Sequence, residues 1–78
     1  MMKIRTSLEG KAAQISVEGR MDAASQERLQ AAGDQLLARG ATHFMIDVSE
    51  LVYISSAGIG ELVRLASLAG ERGGEVAI

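Results

Sequence analysis

The spacing of apolar and polar residues changes period twice along the chain. Over Lys3–Leu8, Ile4, Thr6 and Leu8 alternate with Lys3, Arg5 and Ser7, and a period of two predicts a half-exposed β-strand. Glu9 and Gly10 supply turn chemistry. A second alternation then sets Ala13, Ile15 and Val17 against Gln14, Ser16 and Glu18, so the two segments are expected to form an antiparallel hairpin. After Gly19 the period lengthens. Asp22 is placed to cap a helix by accepting hydrogen bonds from its first amide groups. Ala24, Leu29, Ala32, Leu36 and Leu37 keep to one face of that helix, with Glu27, Gln30 and Asp34 toward water. Gly40 after Arg39 is a good stop. Gly33 costs the helix about 1 kcal/mol relative to Ala, which implies that another backbone approaches closely there.

Phe44–Val48 is a nearly unbroken apolar run and predicts a central strand covered on both faces. Ser49 to Ile54 is expected to be a connecting loop. A second helix follows Ser55–Gly60 and runs to about Arg72, with Ile59, Leu62, Val63, Ala66 and Ala69 as its inward stripe. Leu65 and Leu68 fall to one side, as a binding surface or a partly buried margin. Gly73 and Gly74 end the helix, and Glu75–Ile78 begins a strand.

The element order is therefore β-β-α-β-α-β. Its two crossovers require parallel strands and right-handed connections. The expected fold is a small α/β domain, residues 1–78 as one unit, with a mixed sheet and both helices on one face. No helix is left over for the opposite face, so either the chain is C-terminally truncated or something else supplies that cover.

Composition removes several functions. There is no Cys, one His and no Trp, and aromatics make up 3% of the chain. Disulfides, thiolate or histidine metal centres and aromatic nucleic-acid platforms are excluded as readings, and no metal or cofactor is expected. Eight basic against ten acidic residues give a net charge of −2. Without a basic stripe, nucleic acid is not an expected partner. No apolar run approaches the roughly 20 residues that span a bilayer, and the N-terminus does not resemble a signal peptide. The expectation is a cytoplasmic domain with no direct membrane insertion.

The informative stretch is Tyr53-Ile54-Ser55-Ser56-Ala57-Gly58-Ile59-Gly60-Glu61-Leu62. Two hydroxyls sit where the chain enters a helix, beside free amides that carry the positive end of the helix dipole. A phosphate on Ser56 would meet those amides and add about −1.5 to −2 charge to a neutral patch. Gly58 and Gly60 leave the first turn without bulky side chains, open to close approach by a partner. Plain helix capping is the competing reading of the serines.

The run Ile46–Gly60 (IDVSELVYISSAGIG) resembles the signature of STAS domains, specifically the bacterial anti-sigma factor antagonists. Gly19-Arg20-Met21-Asp22 resembles that family's Gly-x-x-Asp element, and Glu71-Arg72-Gly73-Gly74 before the last strand also fits. The resemblance covers nearly the whole chain. It implies phosphorylation-controlled partner switching. An anti-sigma factor with serine kinase activity phosphorylates Ser56, a serine phosphatase removes the phosphate, and the unphosphorylated antagonist binds the anti-sigma factor. Asp22, Ser55, Ser56, Ala57, Gly58, Ile59 and Gly60 are then the partner-binding residues. Many members carry Asp immediately before the acceptor; here that place is Ser55, which is the alternative acceptor. The resemblance also implies a further helix and strand after Val76. Without them, an exposed edge and apolar face are expected, favouring association, for example as a homodimer.

Other chemistry is weaker. Gly58-x-Gly60 lacks the third glycine of a dinucleotide fingerprint, having Val63 there. Ser56 before Gly58 echoes a nucleophile elbow, but Ile54 stands in place of its first glycine, and its only base would be His43. His43 reads instead as a strand-end residue, and Asp47, ending a strand beneath the serine loop, as an acceptor for local amides. No enzymatic activity is expected. The alternative function is a STAS accessory subunit of a membrane transporter or of a larger signalling assembly, with the serine loop against a partner ATPase.

Overall fold

The computed structural model describes residues 2–78. In chain order it contains β1 (Met2–Glu9), β2 (Ala12–Met21), α1 (Ala23–Ala38), β3 (His43–Ile54), α2 (Ser56–Glu71) and β4 (Glu75–Ala77). The sheet order is β1-β2-β3-β4. β1 runs antiparallel to β2, and the β2–β3 and β3–β4 pairs are parallel. The hairpin closes with Glu9 opposite Ala12, and Gly10 takes φ +62° in the turn, a value open to Gly without steric cost.

The core forms where the helices cover one face of the sheet. Ala13, Ile15 and Val17 of β2 and Phe44 and Ile46 of β3 meet Leu29, Leu36 and Leu37 of α1 and Leu65 and Ala69 of α2. Each aliphatic side chain enclosed this way contributes about 1.5–3 kcal/mol. Arg28 of α1 donates from Nη1 to the Met2 carbonyl, tying the start of β1 to the helix layer.

Four expectations are corrected. Ser49–Ile54 is not a loop but the second half of β3, paired with β2 as far as Met21 opposite Ile54. Two register shifts, between Ser16 and Glu18 and between Gly19 and Arg20, break the alternation that would have marked it as strand. Gly19 serves the second with φ +93°.

Nor is β3 covered on both faces. Phe44 and Ile46 are buried, whereas Met45 is 51% exposed and Asp47 is exposed. Lys3, Arg5 and Gln14 are exposed on the same open face. That face is largely polar and suits contact with water on one side of the sheet, which corrects the expected exposed apolar face.

The third correction concerns α2, whose inward stripe is turned from the expected one. Leu65 and Ala69 are fully buried and Leu62 and Leu68 partly so, while Ile59 is 51% and Val63 64% exposed and Ala66 is exposed. Apolar residues occur nearly all round this helix, so spacing alone did not orient it. Finally, Gly33 admits the side chain of Leu65, not a backbone: a Cβ there would lie 3.2 Å from Leu65 Cδ1.

Candidate functional site

The two helices begin side by side because the strands that feed them end in register. Met21 pairs with Ile54 across the β2–β3 ladder, and the Ser55 N–H donates to the Met21 carbonyl at 2.8 Å. The next residue of each strand caps a helix. Asp22 caps α1, accepting from the Ser25 N–H and the Ser25 hydroxyl, both at 2.8 Å. The backbone bond from Ser25, and then the hydroxyl bond, hold the Asp22 carboxyl below the usual Asp range. Ser55 caps α2, its Oγ accepting from the Gly58 N–H at 3.2 Å.

This arrangement separates the two serines. Ser55 is half-buried with its hydroxyl engaged in the cap. Ser56 is the first residue of α2, is exposed, and takes part in none of the side-chain hydrogen bonds found among the described residues. Ala57, Ile59 and Gly60 are exposed beside it, and Gly58 is buried. A Cβ on Gly58 would come within 2.7 Å of Met21 Sδ and 2.9 Å of Ile54 Cγ1, so the first turn of α2 sits directly on the strand ends. Of the seven residues expected to bind a partner, six therefore have some exposure at one edge, and the seventh seats the turn that carries them.

The surroundings include an apolar patch with one basic residue stacked on it. Val52 and Tyr53 are exposed and with Leu62 border a shallow depression. The Arg20 guanidinium lies 4.4 Å from the centroid of the Tyr53 ring, a cation–π distance.

Sequence reasoning missed Glu61, which is 3% exposed between the two helices. Arg64 grips it with two bonds, Nε to Oε1 and Nη2 to Oε2, each 2.8 Å. Arg64 Nη2 also reaches Asp34 Oδ1 of α1 at 2.8 Å, and Gln26 Nε2 lies 3.4 Å from Glu61 Oε1. The Glu61 bond, then the Asp34 bond, raises the Arg64 guanidinium pKa further above its ordinary value. A buried carboxylate left without such partners would be strongly destabilising. The only sequence signal was a charged residue inside an apolar helix, easily taken for its wet side.

His43 and Ser56 lie at opposite ends of β3, so the pair that a hydrolase would need is not assembled. His43 Nδ1 lies 2.9 Å from Thr42 Oγ1. Asp47 sits within β3 and does not end it. Its Oδ1 accepts from the Ser49 N–H at 2.9 Å, and Ser49, through its hydroxyl first and then its backbone, lowers the Asp47 pKa. Among the described residues no cluster of His, Asp or Glu suited to a metal ion is found, and no helix is long and apolar enough to cross a membrane.

The family model described as "Mlab, STAS domain" matches residues 4–78. No curated protein matches the chain. Among solved structures, the anti-sigma factor antagonist SpoIIAA in its unphosphorylated form superposes with a TM-score of 0.84 at 16% identity, covering 95% of this chain and 69% of that one. The phosphorylated form of the Bacillus cell fate determinant SpoIIAA gives 0.85 at 14% identity, with 97% and 70% coverage. An antisigma-factor antagonist STAS domain from Rhodobacter sphaeroides gives 0.78 at 25% identity, with 99% and 84% coverage.

Proposed function

The chain belongs to the STAS domain family, and from that premise we propose that it is an anti-sigma factor antagonist switched by phosphorylation of Ser56. The observation that carries this reading is the exposed, unengaged Ser56 hydroxyl at the start of α2, next to a neighbour already committed to the cap. SpoIIAA, one of the structural relatives, exists in phosphorylated and unphosphorylated forms, which supports phosphorylation as the switch.

The partner is an anti-sigma factor with serine kinase activity. Ser56 Oγ attacks the γ-phosphorus of ATP held by that kinase. The new P–O bond replaces the bond to the bridging oxygen, ADP leaves, and the hydroxyl proton passes to the kinase. The phosphate sits at the positive end of α2 and puts roughly −1.5 to −2 charge on a face formed by Ser56, Ile59, Gly60 and Val63. A partner surface matched to that neutral, partly apolar face pays desolvation and repulsion once the phosphate is present, and the complex dissociates. A serine phosphatase resets the switch. These partners place the protein in the cytoplasm.

The test is incubation with the cognate kinase-type anti-sigma factor and ATP, followed by mass-spectrometric mapping and affinity measurement. One phosphate is expected on Ser56 and none on Ser55. Ser56→Asp is expected to weaken the complex by about tenfold or more, whereas Ser56→Ala stays bound in the presence of ATP. Absence of phosphate on either serine, together with unchanged binding by Ser56→Asp, would falsify the proposal.

One observation favours a second reading. The place before the acceptor, Asp in many antagonists, is here the capping Ser55. In a STAS accessory subunit of a transporter or a larger assembly, the same edge would contact a partner ATPase without being modified. Stable binding to such an ATPase that Ser56→Asp leaves unaltered selects that reading.

A further inference from the structure

The glycines of α2 divide into those the fold requires and one it does not. Gly58 is required, since a Cβ there would collide with Met21 and Ile54. At Gly60 a Cβ would meet nothing within 4 Å. Gly60 is the fifth residue of a 16-residue helix, has no positive φ, and is exposed. Glycine is the worst residue for a helix interior after proline. The isolated chain therefore carries a destabilising residue with no compensating contact.

The position explains what the fold does not. Ser56, Gly60 and Val63 follow one another at helical spacing on one face, with Ile59 alongside. Ile59 and Val63 are 51% and 64% exposed. Gly60 is thus a strip of bare backbone between two exposed aliphatic side chains, one turn beyond the candidate phosphoacceptor. Gly70 provides a contrast. A Cβ there would also meet open space, but Gly70 lies one residue from the end of α2, and its carbonyl accepts from Gly73.

Resting on the function proposed above, we infer that Gly60 determines how closely the anti-sigma partner seats. An apolar side chain of the partner packs against the Gly60 backbone between Ile59 and Val63, and a methyl group at this position holds it off. Stability of the free chain is given up here for contact distance in the complex.

The experiment compares Gly60→Ala and Gly70→Ala in the full chain, using thermal unfolding, affinity for the kinase-type anti-sigma factor, and the rate of Ser56 phosphorylation. Gly60→Ala is expected to raise the melting temperature by about 3–8 °C. It is also expected to weaken the complex by about tenfold, the scale of an overpacked methyl at a fitted contact, and to slow phosphorylation in parallel. Gly70→Ala leaves binding and phosphorylation at wild-type values. The inference is overturned if Gly60→Ala binds and is phosphorylated like the wild type, or if it melts lower, which would give Gly60 a role in the fold. If the wild type itself neither binds nor accepts phosphate, the switch reading fails first and this inference falls with it.

Discussion

Leu65→Ala is expected to lower the free energy of unfolding by about 3–5 kcal/mol, the cost of deleting a fully enclosed leucine side chain. Leu65 is 0% exposed and lies over Gly33, its Cδ1 3.2 Å from where a Cβ on that residue would stand. α1 and α2 are thus held together at a point where one helix has no side chain and the other fills the gap. A chain of this length holds about 4–12 kcal/mol in total, so the loss is a large fraction of the whole. Urea denaturation should show the midpoint falling steeply with the slope unchanged. An effect below 1 kcal/mol would mean that the interface collapses around the alanine and that the helix packing is looser than described.

The second large effect is expected at Gly74. A Cβ there would overlap the Thr42 carbonyl, and this contact is with main chain, which cannot rotate away. The Thr42 carbonyl also accepts from the Glu75 N–H at 3.1 Å, and the Gly74 N–H donates to Ala69 at 2.9 Å. Gly74→Ala must displace the segment joining α2 to β4 and break at least one of these bonds. β4 has only three residues, paired with His43–Met45, too few to resist. The expected outcome is loss of β4 from the sheet, at about 2–4 kcal/mol for the overlap and the lost bonds, read as collapse of amide-exchange protection at Glu75 and Ala77, the amides that face β3. Retained protection at those amides in Gly74→Ala would refute the steric account.

What could be read in the residues, and what could not, follows from how each signal arises. The hairpin, both helix starts and the order of elements were legible because alternation, Asp22, the Ser55-Ser56 pair and the punctuating glycines are local devices. The second half of β3 was not, since its two register shifts place extra residues exactly where a strand pattern would be sought. The rotation of α2 was hidden for a different reason. Ile59, Val63 and Leu65 are equally apolar, and only the position of α1 decides which of them is enclosed. Glu61 was invisible because its burial depends on Arg64 and, across the helix pair, on Asp34 and Gln26. Ser56 stood out from the sequence, but that Ser55 and not Ser56 carries the cap emerges only from the Gly58 bond.

The parallel pairing of β2 with β3 has a kinetic consequence. The hairpin closes through a tight turn, with Glu9 beside Ala12, on a timescale of microseconds. The ladder that brings Ala12 to His43 must first gather the whole intervening crossover, and that loop-closure entropy is spent before the contacts repay it. Assembly is therefore expected to begin at the N-terminal third and to commit when Phe44 and Ile46 dock. Pulse-labelled hydrogen exchange during refolding would then mark Gln14 and Ser16, whose amides face β1, as protected before Ile15 and Val17, whose amides face β3, and simultaneous protection would point instead to a single concerted collapse.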